Sequence, residues 1–344
     1  MNADAHLPAF HLQLGRWQND PSGIFHDPAT GLFHLFLDFE NKFNFSNLNT
    51  TWAHVVSRDA IRWQRLPVAL QPDHAYDCDG IFTGSATIVD GAPVLAYSVR
   101  CNKAINMARP ANRSDPLLHE WQKFKSNPVV SHEPGYNFRD PTSAWRPPGG
   151  GEWRMGVGCS GRVCVYRSAD FVSWRDVGSV SHVPGEHMWE CPDSFALNGS
   201  GEGGSDEGGT NEQGTPWVVK ASLGAWDVYS VGRYIFSAAA NDTFRPAAGS
   251  APLGWLGAYA AGQVIDWGNY YASKSVWDPL GKRRLLFGWI QEEPTVVRSG
   301  QLWQGLLSLP RKLASTRAMA AASCLRRQLR WSRCALVTAP SVAI

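Results

Sequence analysis

Residues 17–39 read WQNDPSGIFHDPATGLFHLFLDF. A short segment carrying Asp20 is followed by an apolar and aromatic run, GLFHLFLDF (31–39), with Gly, Pro, Asn and Asp at the boundaries, which is the pattern of two short strands and a turn. The same pair recurs four times. DGIFTGSATI (79–88) opens on Asp79 and precedes APVLAYSV (92–99), and RDPTSAW (139–145) carries Asp140 ahead of EWRMGVGC (152–159). ECPDSFAL (190–197) opens on Glu190 ahead of PWVVKASL (216–223), and DWGNYYASKSV (266–276) opens on Asp266 ahead of RRLLFGWI (283–290). The acidic starts lie about 60, 60, 50 and 76 residues apart, and the last spacing approaches 60 once the Gly-rich stretch 198–214 is set aside. A period of that size signals repeated supersecondary units.

Three units share a second signature. SRDAIRW (57–63), RSDPLLHEW (113–121) and SADFVSW (168–174) each place Ser and Asp shortly before Trp, as a turn leading into an outer strand does. No long amphipathic helix competes with the strand pattern before residue 313. Five such units predict an all-β, five-bladed β-propeller over residues 1–313. In that architecture inner strands converge on a central channel, so residues that open them face one another although they are distant in sequence.

Composition sets the class of partner. The 32 basic and 30 acidic residues are interspersed and leave a formal charge of +2, so no broad field draws in nucleic acid or an anionic membrane, and a neutral substrate fits better. Sixteen Trp, fifteen Phe and nine Tyr supply core filling and flat surfaces on which sugar rings stack. The seven cysteines, at 78, 101, 159, 164, 191, 324 and 334, are odd in number and form no closely spaced CxxC units, so neither a zinc site nor a disulfide framework is expected. No metal or other cofactor is indicated. No stretch reaches the roughly 18 apolar residues of a membrane span, and the N-terminus shows no signal-peptide pattern. Glycosylation sequons at Asn44, Asn49, Asn112, Asn198 and Asn241 lean towards a secreted or vacuolar setting, and localisation stays open. The Gly-rich acidic stretch 198–214 reads as a disordered surface insertion without chemistry. From Arg311 the chain has seven basic residues and no acidic one, and 314–344 reads as a basic tail, not a domain.

The strongest signal is a trio of acidic motifs, WQNDPSG (17–23), FRDP (138–141) and WECPD (189–193), in this order on successive units. Together they resemble glycoside hydrolase family 32, the invertases, inulinases, levanases and fructan exohydrolases, from about His11 to about Leu313. The family's first motif is WMNDPNG, and here Gln18 replaces Met and Ser22 replaces the second Asn. The resemblance implies a retaining β-fructofuranosidase that releases fructose from sucrose or fructans, with Asp20 as nucleophile, Asp140 as transition-state stabiliser and Glu190 as acid/base. GIFTGSAT (80–87) is similar to the family's GxFSGSA and implies that Phe82 and Thr83 line the fructose site. TWAHVVSRD is similar to WGHAVS and offers Trp52, with Trp17, as an apolar wall. Asn19 and Arg139 complete the substrate-binding set, Arg139 together with Asp140 gripping fructose hydroxyls by charge-assisted hydrogen bonds. Asp266 and Tyr271, in a stretch similar to the family's fifth blade, read as core or turn residues, with a place at the pocket rim as the second reading.

Retaining chemistry needs two carboxyl groups about 5–5.5 Å apart, one attacking and one protonating the leaving oxygen. Asp20 is then expected to stay ionised among hydrogen-bond donors, and Glu190 to hold its proton through desolvation or nearby negative charge. Two departures stand out. Asp38, also counted among the substrate-binding residues, occupies the place of a Gln that the family carries in FYQYNP at the fructose site; an ionised Asp only accepts where a Gln also donates, so hydrogen bonding there is rearranged, and the extra charge perturbs the catalytic carboxylates. The propeller also lacks the β-sandwich domain that usually follows it. Alternative readings are a fructosyltransferase working through the same covalent intermediate, a truncated, inactive or sugar-binding propeller, and, last, a propeller glycosidase acting on arabinose or xylose chains.

Overall fold

A computed structural model of the chain describes residues 8–41, 49–101, 103–132, 137–197, 216–238, 241–292 and 301–313. The stretch 198–214, the segment 314–344 and the sequons at Asn44 and Asn198 lie outside them. Asn49, Asn112 and Asn241 are exposed.

Five antiparallel sheets follow one another along the chain, each a meander whose strands pair in sequence order. Blade one holds β1 (Trp17–His26), β2 (Phe33–Glu40), β3 (Thr51–Ser57) and β4 (Gln64–Arg65), and blade two holds β5 (Phe82–Val89), β6 (Ala92–Val99), β7 (Ala104–Pro110) and β8 (Trp121–Lys123), with β9 (Val130–Ser131) also on β7. Blade three comprises β10 (Phe138–Arg139), β11 (Trp153–Cys159), β12 (Arg162–Ser168) and β13 (Arg175–His182), and blade four β14 (Glu190–Ala196), β15 (Trp217–Leu223), β16 (Trp226–Ile235) and β17 (Thr243–Pro246). Blade five has β18 (Tyr270–Asp278), β19 (Arg283–Ile290) and β20 (Leu306–Leu307), with β21 (Arg311–Leu313) pairing to β19. One α-helical segment is described, α1 (Trp255–Ala260). The chain is a five-bladed β-propeller. Among the described residues no helix is long and apolar enough to cross a membrane.

There is no single core. Apolar side chains gather in five seams between neighbouring blades. Phe25, Phe36 and Trp52 meet Leu95 and Tyr97 between blades one and two. Ile105 and Met107 meet Phe138 and Met155 between blades two and three. Val163 and Val165 meet Trp217 and Val219 between three and four, and Phe195 and Val218 meet Tyr270 and Leu286 between four and five. The last seam packs Ile24, Leu35 and Leu37 against Val276, Leu285 and Phe287 and closes the ring. A blade covered on both faces buries every residue of its middle strands, as β2 does, which is why these strands read as continuous apolar runs and not as alternation.

The Ser/Asp/Trp signatures are turns built on one carboxylate. Asp59 Oδ1 accepts from the amides of Ile61 (2.9 Å) and Arg62 (2.7 Å), and Asp170 Oδ1 from those of Val172 (2.9 Å) and Ser173 (2.7 Å). Asp115 accepts from Leu117 (3.0 Å) and His119 (2.8 Å). These side chains replace the backbone acceptor of a turn, and an outer strand follows each. The cysteine reading needs correction. Cys78 and Cys101, 23 residues apart, are joined by a disulfide, as are Cys159 and Cys164 on the adjacent strands β11 and β12. Pairing of this kind depends on which strands come together, and cysteine spacing does not reveal it.

Blades three and four share a buried ion cluster. Asp242 takes Arg154 Nε at 2.9 Å and Arg167 Nη2 at 2.6 Å, and Tyr234 donates its hydroxyl to the same carboxylate at 2.8 Å. Removing one member of such a cluster strands buried charge. Asp242→Ala is expected to lower unfolding stability by about 3–5 kcal/mol, measured by denaturant titration; a loss under about 1 kcal/mol would show that the cluster is effectively solvated.

Candidate active site

The inner strand of every blade is irregular where it reaches the channel, and the acidic motifs are those irregularities. Pairing shifts between Gln18 and Pro21 on β1, around Asp20; between Phe82 and Gly84 on β5, around Thr83; between Glu190 and Asp193 on β14, around Cys191; and between Tyr271 and Lys274 on β18, around Ala272. On blade three β10 ends at Arg139, and Asp140 follows it with φ +63°. Cys191 (φ +44°) and Ala272 (φ +54°) also adopt left-handed backbone, a conformation that costs non-glycine residues free energy and persists only when neighbours enforce it. A bulge leaves an amide without its ladder partner and re-aims the side chain beside it.

Those amides are taken up by the preceding blade. Gly84 N donates to Ser22 Oγ (3.3 Å), Asp140 N to Ser98 Oγ (3.3 Å), Cys191 N to Asp140 Oδ2 (2.9 Å) and Ala272 N to Asp227 Oδ1 (3.1 Å). Gln18 N donates to the carbonyl of Gln304, beside β20, at 3.0 Å and completes the circuit. Five blades are thus linked one to the next at the level of the channel mouth.

The circuit gathers the acids. Asp20 Oδ2 accepts from Thr83 Oγ1 (2.6 Å) and Cys191 Sγ (3.2 Å), and its Oδ1 accepts from Asn19 Nδ2 (3.2 Å). Cys191 Sγ also reaches Asp140 Oδ2 at 3.6 Å. Glu190, next to Cys191, is gripped on Oε1 by Arg139 Nη2 (2.5 Å) and on Oε2 by the Tyr271 hydroxyl (2.6 Å), and Arg139 Nε lies 3.8 Å from Asp140. Asp20, Asp140 and Glu190, from three blades, therefore belong to one contact network. Asp20 and Asp140 are buried, whereas the Glu190 side chain keeps 35% exposure. Asp38 lies beneath them, 1% exposed, with Ser22 Oγ 3.3 Å from its Oδ1 and Thr83 Oγ1 3.0 Å from its Oδ2.

Other expected site residues are distributed differently. Phe82 lies buried on β5 with the Arg100 guanidinium over its ring at 5.5 Å. Trp52, expected as a pocket wall, is fully buried in the seam between blades one and two against Phe36 and Tyr97; it offers no surface to the channel because Gly23 brings β1 down onto its ring. Trp17 keeps partial exposure, packs edge-on to Trp289 at 6.1 Å and donates Nε1 to Asn19 at 3.0 Å. Tyr271, read as core or turn, instead touches Glu190. Asp266 is a turn residue, accepting from Gly268 N and pairing with Arg311 at 2.5 Å.

Two lysines that the sequence reading passed over lie under the site, both essentially inaccessible. Lys220 on β15 donates to the carbonyls of Cys191 (3.0 Å) and Ser273 (2.7 Å) and pairs with Asp227 at 3.2 Å. Lys274 on β18 donates to the carbonyls of Pro192 (2.9 Å) and Pro141 (3.3 Å). They clamp the backbone that presents Asp140 and Glu190 and place two cations beside a crowd of carboxyl groups. A lysine inside an otherwise apolar strand, as in PWVVKASL, is the one local signal of a buried cation, and it leaves the partners unspecified.

Burial dominates the electrostatics. It pushes the Asp20 carboxyl up to about 6 with help from Asp140, against the hydrogen bonds of Thr83, Cys191 and Asn19. Asp140 is raised by burial, opposed by Arg139. Asp38 is raised well above the usual range by burial and then by Asp20. The expected donors around Asp20 are present, yet desolvation outweighs them, contrary to the expectation of a readily ionised nucleophile. Burial, Asp20 and Asp140 also hold the Cys191 thiol protonated, so that it donates.

Comparison with known proteins fits this geometry. The N-terminal domain of glycosyl hydrolases family 32 matches residues 11–322. The chain belongs to that family. It is 38% identical over 333 residues to β-fructofuranosidase 1 of Zea mays and 38% identical over 322 residues to acid β-fructofuranosidase of Solanum lycopersicum, covering 88% of this chain in each case and 47% and 48% of those proteins. Among solved structures, fructan 1-exohydrolase IIa from Cichorium intybus superposes with a TM-score of 0.76 at 31% identity, over 88% of this chain and 57% of that one. The chain spans about half the length of the relatives it matches.

The raised Asp20 value fixes a pH dependence. A carboxyl whose folded value lies above its unfolded one loses protons first in the unfolded chain, so folding weakens as pH rises from about 4 to about 6. Asp20→Asn removes this cost. Melting temperature at neutral pH is expected to rise by several degrees, corresponding to on the order of 3 kcal/mol, with the gain vanishing at pH 4; an unchanged or lower neutral-pH melting temperature contradicts the assignment.

Proposed function

We propose that the chain is the catalytic propeller of a retaining glycosidase that releases fructose from sucrose or fructans. The observation that supports this most directly is the convergence of Asp20, Asp140 and Glu190 in one network at the channel mouth. Asp20, once ionised, attacks the anomeric carbon, and the glycosidic C–O bond breaks as Glu190 delivers its proton to the leaving oxygen. A fructosyl ester on Asp20 results. Glu190, now a carboxylate, takes a proton from the incoming water, whose oxygen displaces Asp20 and releases fructose. Such a division requires the two carboxyl groups to stand about 5–5.5 Å apart across the substrate.

The surrounding groups fit these roles. Glu190 is the most accessible of the three, as a group that exchanges protons with leaving group and water must be. Tyr271 and Arg139 orient its two oxygens separately. Asp140, fixed by the Cys191 amide, offers its remaining oxygen to a fructose hydroxyl, and Arg139 and Asn19 supply donors beside it. The relatives that bear on the substrate are β-fructofuranosidases, and the Cichorium enzyme has also been solved, as a variant 30% identical to this chain, in complex with 1-kestose.

Fructose release from sucrose, inulin and levan tests the reading. Wild type is expected to act on at least one of them, Asp20→Ala to abolish turnover, and Glu190→Ala to reduce kcat by about 10²–10⁴ while retaining the fold. No fructose from any of the three, or an Asp20→Ala variant that turns over at the wild-type rate, contradicts it. Trisaccharide formation at high sucrose would identify sugar acceptors in place of water.

A further inference from the structure

Thr83 presents a problem of counting. Its hydroxyl carries one hydrogen, yet Oγ1 lies 2.6 Å from Asp20 Oδ2 and 3.0 Å from Asp38 Oδ2. It donates to one carboxyl oxygen only. Were both acids ionised, the second oxygen would face the hydroxyl lone pairs inside a buried site, leaving a charged acceptor unsatisfied there. The shorter contact belongs to Asp20. On the other side of Asp38, Ser22 Oγ approaches Oδ1 at 3.3 Å, so Oδ1 is the accepting oxygen and Oδ2 is the one facing Thr83.

We infer that Asp38 is a positioning residue that works as a neutral carboxylic acid, its Oδ2–H donating to Thr83 Oγ1 so that Thr83 gives its single hydrogen to Asp20. The chain Asp38 → Thr83 → Asp20 satisfies every oxygen and runs its donors towards the nucleophile. The groups around Asp38 agree. β1 contributes the Asp20 carboxyl and the Ser22 hydroxyl, β3 sets Trp52 opposite Asp38, β5 contributes Thr83, and Asp140 follows β10. No cation contacts it through the hydrogen bonds and ion pairs described. Burial and the neighbouring Asp20 raise its proton affinity well beyond the usual carboxylate range. A protonated Asp both donates and accepts, as the Gln expected at this place does, so the replacement keeps the hydrogen-bond logic while making it depend on pH. Ionisation of Asp38 would add a second negative charge next to Asp20 and remove the donor to Thr83.

This inference rests on the fructosidase reading for its catalytic consequence, and Asp38→Asn tests it. The amide nitrogen would donate to Thr83 and the amide oxygen accept from Ser22, without the ability to ionise. The expected result is kcat/KM on sucrose within about tenfold of wild type, because the amide keeps the donor to Thr83. A folded Asp38→Asn with activity lower by more than about 10²-fold overturns the inference. Infrared spectroscopy reads the same proton without turnover. At mildly alkaline pH, above the Asp20 value, wild type is expected to show a buried protonated-carboxyl band that Asp38→Asn lacks; no such band in wild type overturns the inference even if no fructoside is cleaved, and the wild-type spectrum suffices should the variant fail to fold.

Discussion

Each blade of this propeller hands one unpaired inner-strand amide to a side chain or carbonyl of the blade before it, and the site exists because of that exchange. A bulge alone would leave a buried N–H without a partner and, at Asp140, Cys191 and Ala272, a residue in left-handed backbone, both costly. Ser22, Ser98, Asp140, Asp227 and the Gln304 carbonyl remove the first cost and hold the second in place. In doing so they hold Asp20, Asp140 and Glu190 in one contact network. Asp140 serves twice, as acceptor of the Cys191 amide and as the acid next to the nucleophile. The five apolar seams supply the rigidity behind this ring.

The cost of the arrangement is electrostatic. Four carboxyl groups within one network, three of them buried, repel one another and lose hydration. Arg139 offsets part of this directly, and Lys220 and Lys274 do so from below while anchoring the backbone of Cys191, Pro192 and Pro141. The residual strain shows in the raised Asp20 and Asp140 values. An acid that gives up its proton reluctantly when free is better placed to do so when a substrate brings positive charge to the anomeric centre. Stability and reactivity are opposed here, as they commonly are in active sites.

How much of this the sequence showed depended on the kind of interaction. Short apolar runs behind acidic starts, repeated near 60 residues, identified five blades, because strand and turn chemistry is local. The Asp59, Asp115 and Asp170 turns were visible for the same reason. Position at the start of a strand did not say which acid would enter the channel. Asp79 and Asp266 share that position with Asp20, yet blade two sends in Thr83 and Asp266 pairs with Arg311, since the bulge and not the strand start aims the side chain. Trp52 was misplaced because burial in a seam and exposure on a wall look alike in a strand pattern. Tyr271, the two lysines and the disulfides rest on contacts between blades, and no spacing along one strand encodes those.

In the proposed mechanism Asp20 is the residue that becomes bonded to the sugar. Reaction of Glu190→Gln, which lacks the base for the second step, with a fructoside bearing a good leaving group should accumulate a fructosyl-protein, and peptide mass spectrometry should locate the added sugar on the peptide containing Asp20. Modification of a peptide carrying a different carboxylate, or turnover of that substrate with no trapped adduct and inverted fructose as the first product, would contradict the account.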